Sequence, residues 1–240
     1  MGNTRFNPTC NGPLHLGHIY MILVNEYEAH RSSGKFIMRF DDNQPYWINR
    51  IGHKAMTQYT EEMRRDLDWL EIPVDEWTYQ SKLQAETDHE ILWRNKGPLP
   101  VRQQEEGSPL IFNLALNCSI YPYLPWLTAE KVLQDWHDLI RPLIRGEDLM
   151  SEAALYSYFC EIWNVPSITQ YYLGRLTHKD SELTSISKTE GDLKVSYFRS
   201  KGIKPKAIIE TLENWCLINP NGSWTLDNLI QHPTVGKFLW

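Results

Sequence analysis

Residues 5–18, R-F-N-P-T-C-N-G-P-L-H-L-G-H, constrain the fold of this chain more than any other stretch. Arg5 and Phe6 end a predicted short strand, after which Pro8, Asn11, Gly12 and Pro13 force a tight turn. A helix is predicted from Gly17, with Ile19, Met21, Ile22, Leu23, Val24 and Tyr27 as its apolar face and Ser32, Ser33 and Gly34 as its end. A strand that feeds a turn and then a helix collects free backbone N–H groups at one point, and the helix N-terminus there favours negative charge. His15 and His18, one helical turn apart, reach the same side of that opening, which suits a triphosphate. On these residues alone two other readings stay open: a turn with one capping and one surface histidine, or a zinc site. The window offers zinc only Cys10 as a further soft ligand, and the spacing matches no common finger.

The rest of the chain alternates strands with helices. A strand is predicted over residues 35–40, with Asp41 and Asp42 at its end, where the ligands of open α/β sheets gather. A long amphipathic helix follows at 48–70, carried by Ile51, Met56, Tyr59, Met63, Leu67 and Leu70, and a second at 82–93. Residues 95–126 are irregular and rich in proline. Helix resumes at 129–140, then a strand at 142–145, a helix at 147–163 and a strand at 168–173. A polar loop at 184–191 precedes helices at 194–201 and 204–217, with a last short helix at 225–230. This pattern predicts an α/β fold, a Rossmann-like doubly wound parallel sheet over residues 1–190, with a small helical C-terminal segment over 191–240.

Composition narrows the function classes. Hydrophobic residues make up 42% and charged residues 22%, the balance of an ordinary soluble globular protein. No apolar run is long enough for a membrane span and the N-terminus lacks a signal-peptide core, so a cytoplasmic location without membrane partners is expected. Cys10, Cys118, Cys160 and Cys216 are scattered and read as reduced thiols. The net charge of −6 argues against a dedicated nucleic-acid binder. It leaves room for one basic stretch, 194–206, with Lys194, Arg199, Lys201, Lys204 and Lys206 and no acid, which otherwise reads as a solvated helix face.

Several stretches, in order, resemble class I aminoacyl-tRNA synthetases of the glutamyl type. The opening T-R-F-N-P-T-C-N-G-P-L-H-L-G-H is similar to the family's Arg-Phe-Ala-Pro-Ser-Pro-Thr-Gly and His-x-Gly-His. F-I-M-R-F-D-D at 36–42 resembles its Arg-Ile-Glu-Asp strand, and L-I-R-G-E-D at 143–148 its Val-Ile-Arg-Gly-Glu-Asp. S-I-S-K-T-E-G at 185–191 resembles its Lys-Leu-Ser-Lys-Arg-x-Gly loop, and D-L-K-V-S-Y-F-R-S-K-G-I-K-P-K-A-I-I-E-T-L matches a helical segment of the family. The resemblance runs from residue 4 to about residue 230 with one gap, at 95–126, where the family carries a larger insertion that grips the tRNA acceptor end. No anticodon-binding domain is expected, and the shortened form resembles the glutamyl-queuosine tRNA(Asp) synthetase type, which keeps its zinc-bearing insertion.

The resemblance implies ATP-dependent activation of an amino acid, first of all glutamate, to an aminoacyl adenylate, with transfer to a tRNA or a modified tRNA base. It implies His15, His18 and Lys188 as catalytic residues, and Pro8, His15, Gly17, His18, Ser187 and Lys188 as the ATP site. Arg5, Asn7, Asp41 and Arg145 are implied as amino-acid ligands, a carboxylate matching a guanidinium fork. A structural Arg–Asp pair or a solvated strand end is the competing reading for the charged residues among them. ATP brings Mg²⁺; no metal site of the protein's own, and no zinc, is expected. Weak, salt-dependent tRNA binding and a monomeric state are expected.

The sequence also departs from the family. Asp41 stands for a glutamate, Leu127 for a tyrosine (with Trp126 adjacent), Ser185 for the loop lysine and Thr189 for the following arginine. Three alternatives follow: a ligase acting on a non-tRNA acceptor, a non-catalytic paralogue that binds a ligand or partner, and a nucleotidyltransferase, which shares His-x-Gly-His but lacks Arg-Gly-Glu-Asp and the 185–213 segment.

Overall fold

The computed structural model describes residues 2–84, 87, 90, 124–174, 177–178, 181–185, 193–213 and 234–235. Residues 95–123 of the irregular segment expected at 95–126, most of the loop at 184–191 and the last short helix at 225–230 lie outside the described residues; residues 124–126 are helical instead.

Strand β1, Thr4–Phe6, leads through the turn into helix α1, Leu16–Arg31. β2, Phe36–Phe40, follows, then α2, Pro45–Trp69, and β3, Glu76–Tyr79. Helix α3, Leu124–His137, precedes β4, Leu143–Gly146, six residues of 3-10 helix at Glu147–Glu152, α4 at Ala153–Ile162 and β5 at Gln170–Leu173. Short strands β6, Thr177–His178, and β7, Ser181–Ser185, come next, then α5, Val195–Ser200, α6, Pro205–Leu212, and β8, Thr234–Val235.

β1, β2 and β3 pair in parallel, with Arg5 opposite Ile37, and β4 pairs in parallel with β5, with Arg145 opposite Tyr172. A parallel bridge between Asn3 and Ile140 joins the two groups: the Asn3 N–H donates to the Leu139 carbonyl at 3.0 Å and the Arg141 N–H to that of Asn3 at 2.8 Å. The strands thus run in the order β3-β2-β1-β4-β5, and the bridge sits at the amino ends of β1 and β4. The chain winds outward in opposite directions from these two strands. Their carboxyl ends therefore flank the crevice where such sheets bind ligands.

Helices cover both faces. Alternation along β2 sends Phe36, Met38 and Phe40 into a core shared with α1, α2, α5 and α6, while Ile37 joins a second core with α3 and α4. All five residues of β2 are buried, as a central parallel strand requires. Each fully buried Phe contributes about 2–3 kcal/mol of transfer free energy. The expected doubly wound parallel sheet is the fold observed.

Some boundaries differ from expectation, each for a local reason. α2 starts at Pro45, whose fixed φ suits a first helical position, and it is broken at Gly52 (φ 80°, ψ 156°). The apolar spacing continues across that break, so periodicity alone reads through it. α3 ends at His137 because Leu139 turns to φ 55°. The segment expected as helix at 147–163 opens as 3-10 helix. The small sheet of β6, β7 and β8 was not expected; β8 is the β-branched pair Thr234 and Val235, inside the segment read as helical.

Candidate active site

The turn after β1 is stitched to the end of β2 by backbone. The Asp41 N–H donates to the Pro8 carbonyl at 3.0 Å and the Cys10 N–H to the Asp41 carbonyl at 3.3 Å, with Thr9 and Asp41 bridged in parallel. Pro8 is buried in this turn. His15 is the N-cap of α1, in extended conformation, and its Nδ1 accepts the Gly17 N–H at 3.1 Å. An accepting Nδ1 leaves the proton of the neutral ring on Nε2, which is then a donor for a ligand. The His15 and His18 rings stack with centroids 3.8 Å apart, and His18 also meets Phe6 of β1 at 5.9 Å. Gly17 permits this: a Cβ there would stand 3.1 Å from two atoms of the His15 ring.

The segment before α5 closes one side of the turn. The Val195 N–H donates to the Leu14 carbonyl at 3.1 Å, and Lys194 and His15 form an antiparallel bridge. Ser187 and Lys188 lie outside the described residues.

Asp41 is 2% exposed. Its Oδ2 accepts from Gln44 Nε2, while its Oδ1 is buried without a hydrogen-bond partner. Burial pushes this carboxyl above the usual range; Lys131 and the Gln44 bond pull against that, and Asp42 and Glu152 add to it. Asn7, at the carboxyl end of β1, has both Nδ2 and Oδ1 buried without partners. Among the described residues, then, unpartnered polar atoms stand at the carboxyl ends of β1 and β2, where a polar ligand would find partners.

Arg145, on β4, is held differently. Its Nη2 donates to Gln170 Oε1 at 2.8 Å and to the Tyr172 hydroxyl at 2.7 Å, and its Nη1 lies 3.6 Å from Glu152 Oε2. The guanidinium carbon stands 5.5 Å from the Tyr156 ring centroid and 5.3 Å from that of Tyr172, and Nε is buried without a partner.

Arg5 lies on the α3 side of the sheet, as strand alternation requires. Its Nε and Nη2 donate to the two carboxylate oxygens of Asp135, both at 2.7 Å. Arg39 adds a bond from Nη1 to Asp135 Oδ1 at 2.8 Å and pairs with Asp138 through Nη2, and the Tyr156 hydroxyl donates to Asp135 Oδ2 at 3.0 Å. Burial alone would raise the Asp135 carboxyl; Arg5 and Arg39 outweigh it and hold it down to about 2. Where the resemblance implies a substrate ligand, the structure places the competing Arg–Asp pair.

The structure therefore brings Asn7, Pro8 and Asp41 together at the carboxyl ends of β1 and β2, sets His15, Gly17 and His18 at the start of α1, and places Arg145 on β4 across the switch point. Arg5 is turned to Asp135 of α3. Asp135, Arg39, Tyr156, Gln170, Tyr172 and Glu152 were not singled out from the sequence. Arg39 carried a signal, since a charge in the middle of an otherwise apolar strand demands a buried partner. That partner is 96 residues away. No group of three or more His, Cys, Asp or Glu side chains that would hold a metal ion occurs among the described residues. Nor is any helix among them long and apolar enough to cross a membrane.

Comparisons with known proteins agree on one family. Residues 2–91 match the family described as tRNA synthetases class I (E and Q), catalytic domain. The chain is 28% identical over 233 residues to glutamate–tRNA ligase 2 of Neorickettsia sennetsu, covering 87% of this chain and 54% of the relative. It is 40% identical over 78 residues to the cytoplasmic glutamate–tRNA ligase of Saccharomyces cerevisiae, covering 32% of this chain and 10% of that one. The chain thus spans about half the length, or less, of the curated relatives it matches. Among solved structures, the glutamate–tRNA synthetase from Elizabethkingia anophelis superposes with a TM-score of 0.69 at 14% identity, covering 97% of this chain and 65% of that one. A glutamate tRNA ligase from Elizabethkingia meningosepticum in complex with its amino acid gives 0.71 at 14% identity, with 98% and 67% covered. At that identity the superpositions establish the fold, a Rossmann-like class I core. The family match over residues 2–91, the relatives and the fold together make this chain similar to class I synthetases of the glutamyl type.

Proposed function

We propose that this protein activates an amino acid with ATP, forming an aminoacyl adenylate and releasing pyrophosphate. The observation that carries this reading is the pair of imidazoles stacked 3.8 Å apart at the amino end of α1, with the unpartnered atoms of Asn7 and Asp41 at the ends of β1 and β2. In the reaction a carboxylate oxygen of the amino acid attacks the α-phosphorus of ATP. The bond from that phosphorus to the bridging oxygen breaks, and pyrophosphate leaves with the electron pair. Such an in-line displacement needs positioning and charge stabilisation more than covalent help.

His15, with Nδ1 accepting the Gly17 N–H, is proposed to turn Nε2–H to the phosphates at the positive end of the α1 dipole. Pro8 and Gly17 shape the ATP side of the opening, and Mg²⁺ accompanies the phosphates as ATP's own counter-ion. Ser187 and Lys188 complete the ATP site in this proposal, with Lys188 as a point charge on the leaving pyrophosphate. Lys194 pairs with His15 by backbone, so the six-residue tether from Lys194 back to Lys188 allows at most about 20 Å of reach. Asp41 receives the α-ammonium of the amino acid and Asn7 its polar neighbours. Arg145 keeps Nε for its carboxylate.

The curated relatives transfer glutamate to tRNA, as their names state. For this chain we propose the same type of acceptor, a tRNA or a modified tRNA base, bound weakly and with steep salt dependence because the net charge is −6. ATP–pyrophosphate exchange, run with each of the twenty amino acids in the presence and absence of total tRNA, tests the activation step. Exchange that depends on one amino acid supports it. Its complete absence leaves a ligand-binding paralogue as the better reading.

A further inference from the structure

Asp41 stands at the end of β2 with its backbone held on both sides: its N–H donates to the Pro8 carbonyl and its own carbonyl accepts from Cys10. Such pairing fixes where the side chain starts and not how the carboxylate is turned, because the last torsion of an aspartate is broad. Gln44 supplies that constraint. Its Nε2 donates to Asp41 Oδ2 and, at 3.3 Å, to the Thr9 hydroxyl. An ionised carboxylate only accepts, so the nitrogen is the end of the amide that suits it. Oδ1 is left buried and without a hydrogen-bond partner.

Gln44 is also the N-cap of α2, yet its side chain makes no capping bond to that helix. The side chains that cap well are the short ones of Asn, Asp, Ser and Thr. A glutamine here, turned back three residues to Asp41, serves the strand end instead. Its backbone is steady. Pro45 starts the helix, the Trp47 and Ile48 N–H groups donate to the Gln44 carbonyl at 3.1 and 3.0 Å, and both of those side chains pack on the core. The amide carries no charge, so it favours the ionised carboxylate without cancelling it, as a lysine or arginine would. Burial pushes the Asp41 carboxyl up, and Asp42 and Glu152 add to that; Lys131 and the Gln44 bond pull it down.

We propose that Gln44 is a positioning residue, holding Asp41 by Oδ2 so that Oδ1 meets the α-ammonium of the amino acid. This rests on the reading of the site as one that activates an amino acid. Gln44 acts through Asp41 and not on the substrate. Its loss is therefore felt in amino-acid binding and in the pH dependence of that binding, while ATP binding is spared. Thr9, the other acceptor of the amide, steadies it from the turn after β1.

The test is calorimetric titration of the intact protein with each of the twenty amino acids and, separately, with Mg²⁺-ATP, over a range of pH. Gln44→Met keeps the length of the side chain and removes the donor. It is expected to weaken binding of the preferred amino acid at least ~10-fold at pH 7, the scale of a hydrogen bond to a charged group, with Mg²⁺-ATP affinity and melting temperature nearly unchanged. The pH below which amino-acid binding fails is expected to move up, because the carboxyl has lost a group that favours its charged form. A merely structural role for Gln44 would leave that pH in place. Thr9→Val is expected to act in the same direction and more weakly, and it carries the comparison if Gln44→Met folds poorly. Unchanged amino-acid affinity in the variants, or a loss with no movement of the acid limit, overturns the proposal; ATP–pyrophosphate exchange by the wild type would then keep the activation reading alone. The expected changes in a protein that shows no exchange support the proposal and remove the activation reading. Failure of the wild type to bind any of the twenty overturns both.

Discussion

The Asp135 network around Arg5 and the strand ends at Asn7 and Asp41 handle buried polarity in opposite ways. In the network, Asp135 accepts from Arg5, Arg39 and Tyr156, and both of its oxygens are used. At the strand ends, Asn7 has neither side-chain group bonded and Asp41 has one oxygen bare. Both regions grow from the same strands, β1 and β2. The Asp135 carboxylate is saturated, although Arg39 Nε and Gln134 Nε2 beside it are buried without partners, whereas the Asp41 carboxylate keeps one oxygen for a ligand. Sequence position does not distinguish them, since Arg5 and Asn7 are two residues apart on one strand end.

The sharpest way to break this contrast is to open the closed side. Asp135→Ala takes the buried carboxylate from Arg5 and leaves Arg39 only Asp138, and a loss of about 3–5 kcal/mol is expected. Urea unfolding measures it. A loss under about 1 kcal/mol would show that the network is not what holds α3 to the sheet.

The open side should respond in rate and not in stability. His18→Ala and Lys188→Ala are each expected to lower amino-acid-dependent pyrophosphate exchange at least ~100-fold with the melting temperature nearly unchanged. A parallel fall in stability and activity would place His18 in the core and not at the mouth.

Acid titration sharpens the comparison further. The Asp135 carboxyl is held at about 2, below its ordinary 3.8, so the native state binds fewer protons than the unfolded state in that window. Its contribution, about 2 kcal/mol, is complete above about pH 4 and is lost as the pH falls toward and through 2. Asp66, packed on Arg199 at 2.9 Å, runs the other way: burial pushes it up to about 6, with Arg199 pulling down. There the native state binds more protons, so stability falls as pH rises from about 4 to about 6 and stays level above. Unfolding curves at half-unit pH steps should show both slopes, and Asp66→Asn should remove only the upper one.

Much of this architecture was legible in the sequence because its signals are local. The turn of Pro8, Asn11, Gly12 and Pro13, the apolar run from Ile19 to Tyr27 and the acids after β2 act within a few residues of themselves. The end of α1 was legible too, at Ser32 and Ser33, the latter with φ 57°. What stayed hidden depends on distant partners. Arg39 and Asp135 meet across 96 residues, and Arg145 and Tyr172 across 27. Arg5 was read as a ligand by resemblance, with an Arg–Asp pair as the competing reading; only the placement of α3 brings Asp135 to it. The break at Gly52 was hidden for another reason: apolar spacing survives a single residue of non-helical backbone.

The account turns on His15 and His18 forming one phosphate-binding pair at the start of α1. Histidine ring resonances followed by NMR during titration with Mg²⁺-ATP test this most directly. Saturable shifts are expected for His15 and His18, with His30, on the exposed face of α1, and His137, at the end of α3, left in place. Rings of His15 and His18 that stay unmoved at saturating nucleotide, or that move no more than those of His30 and His137, would contradict the central claim.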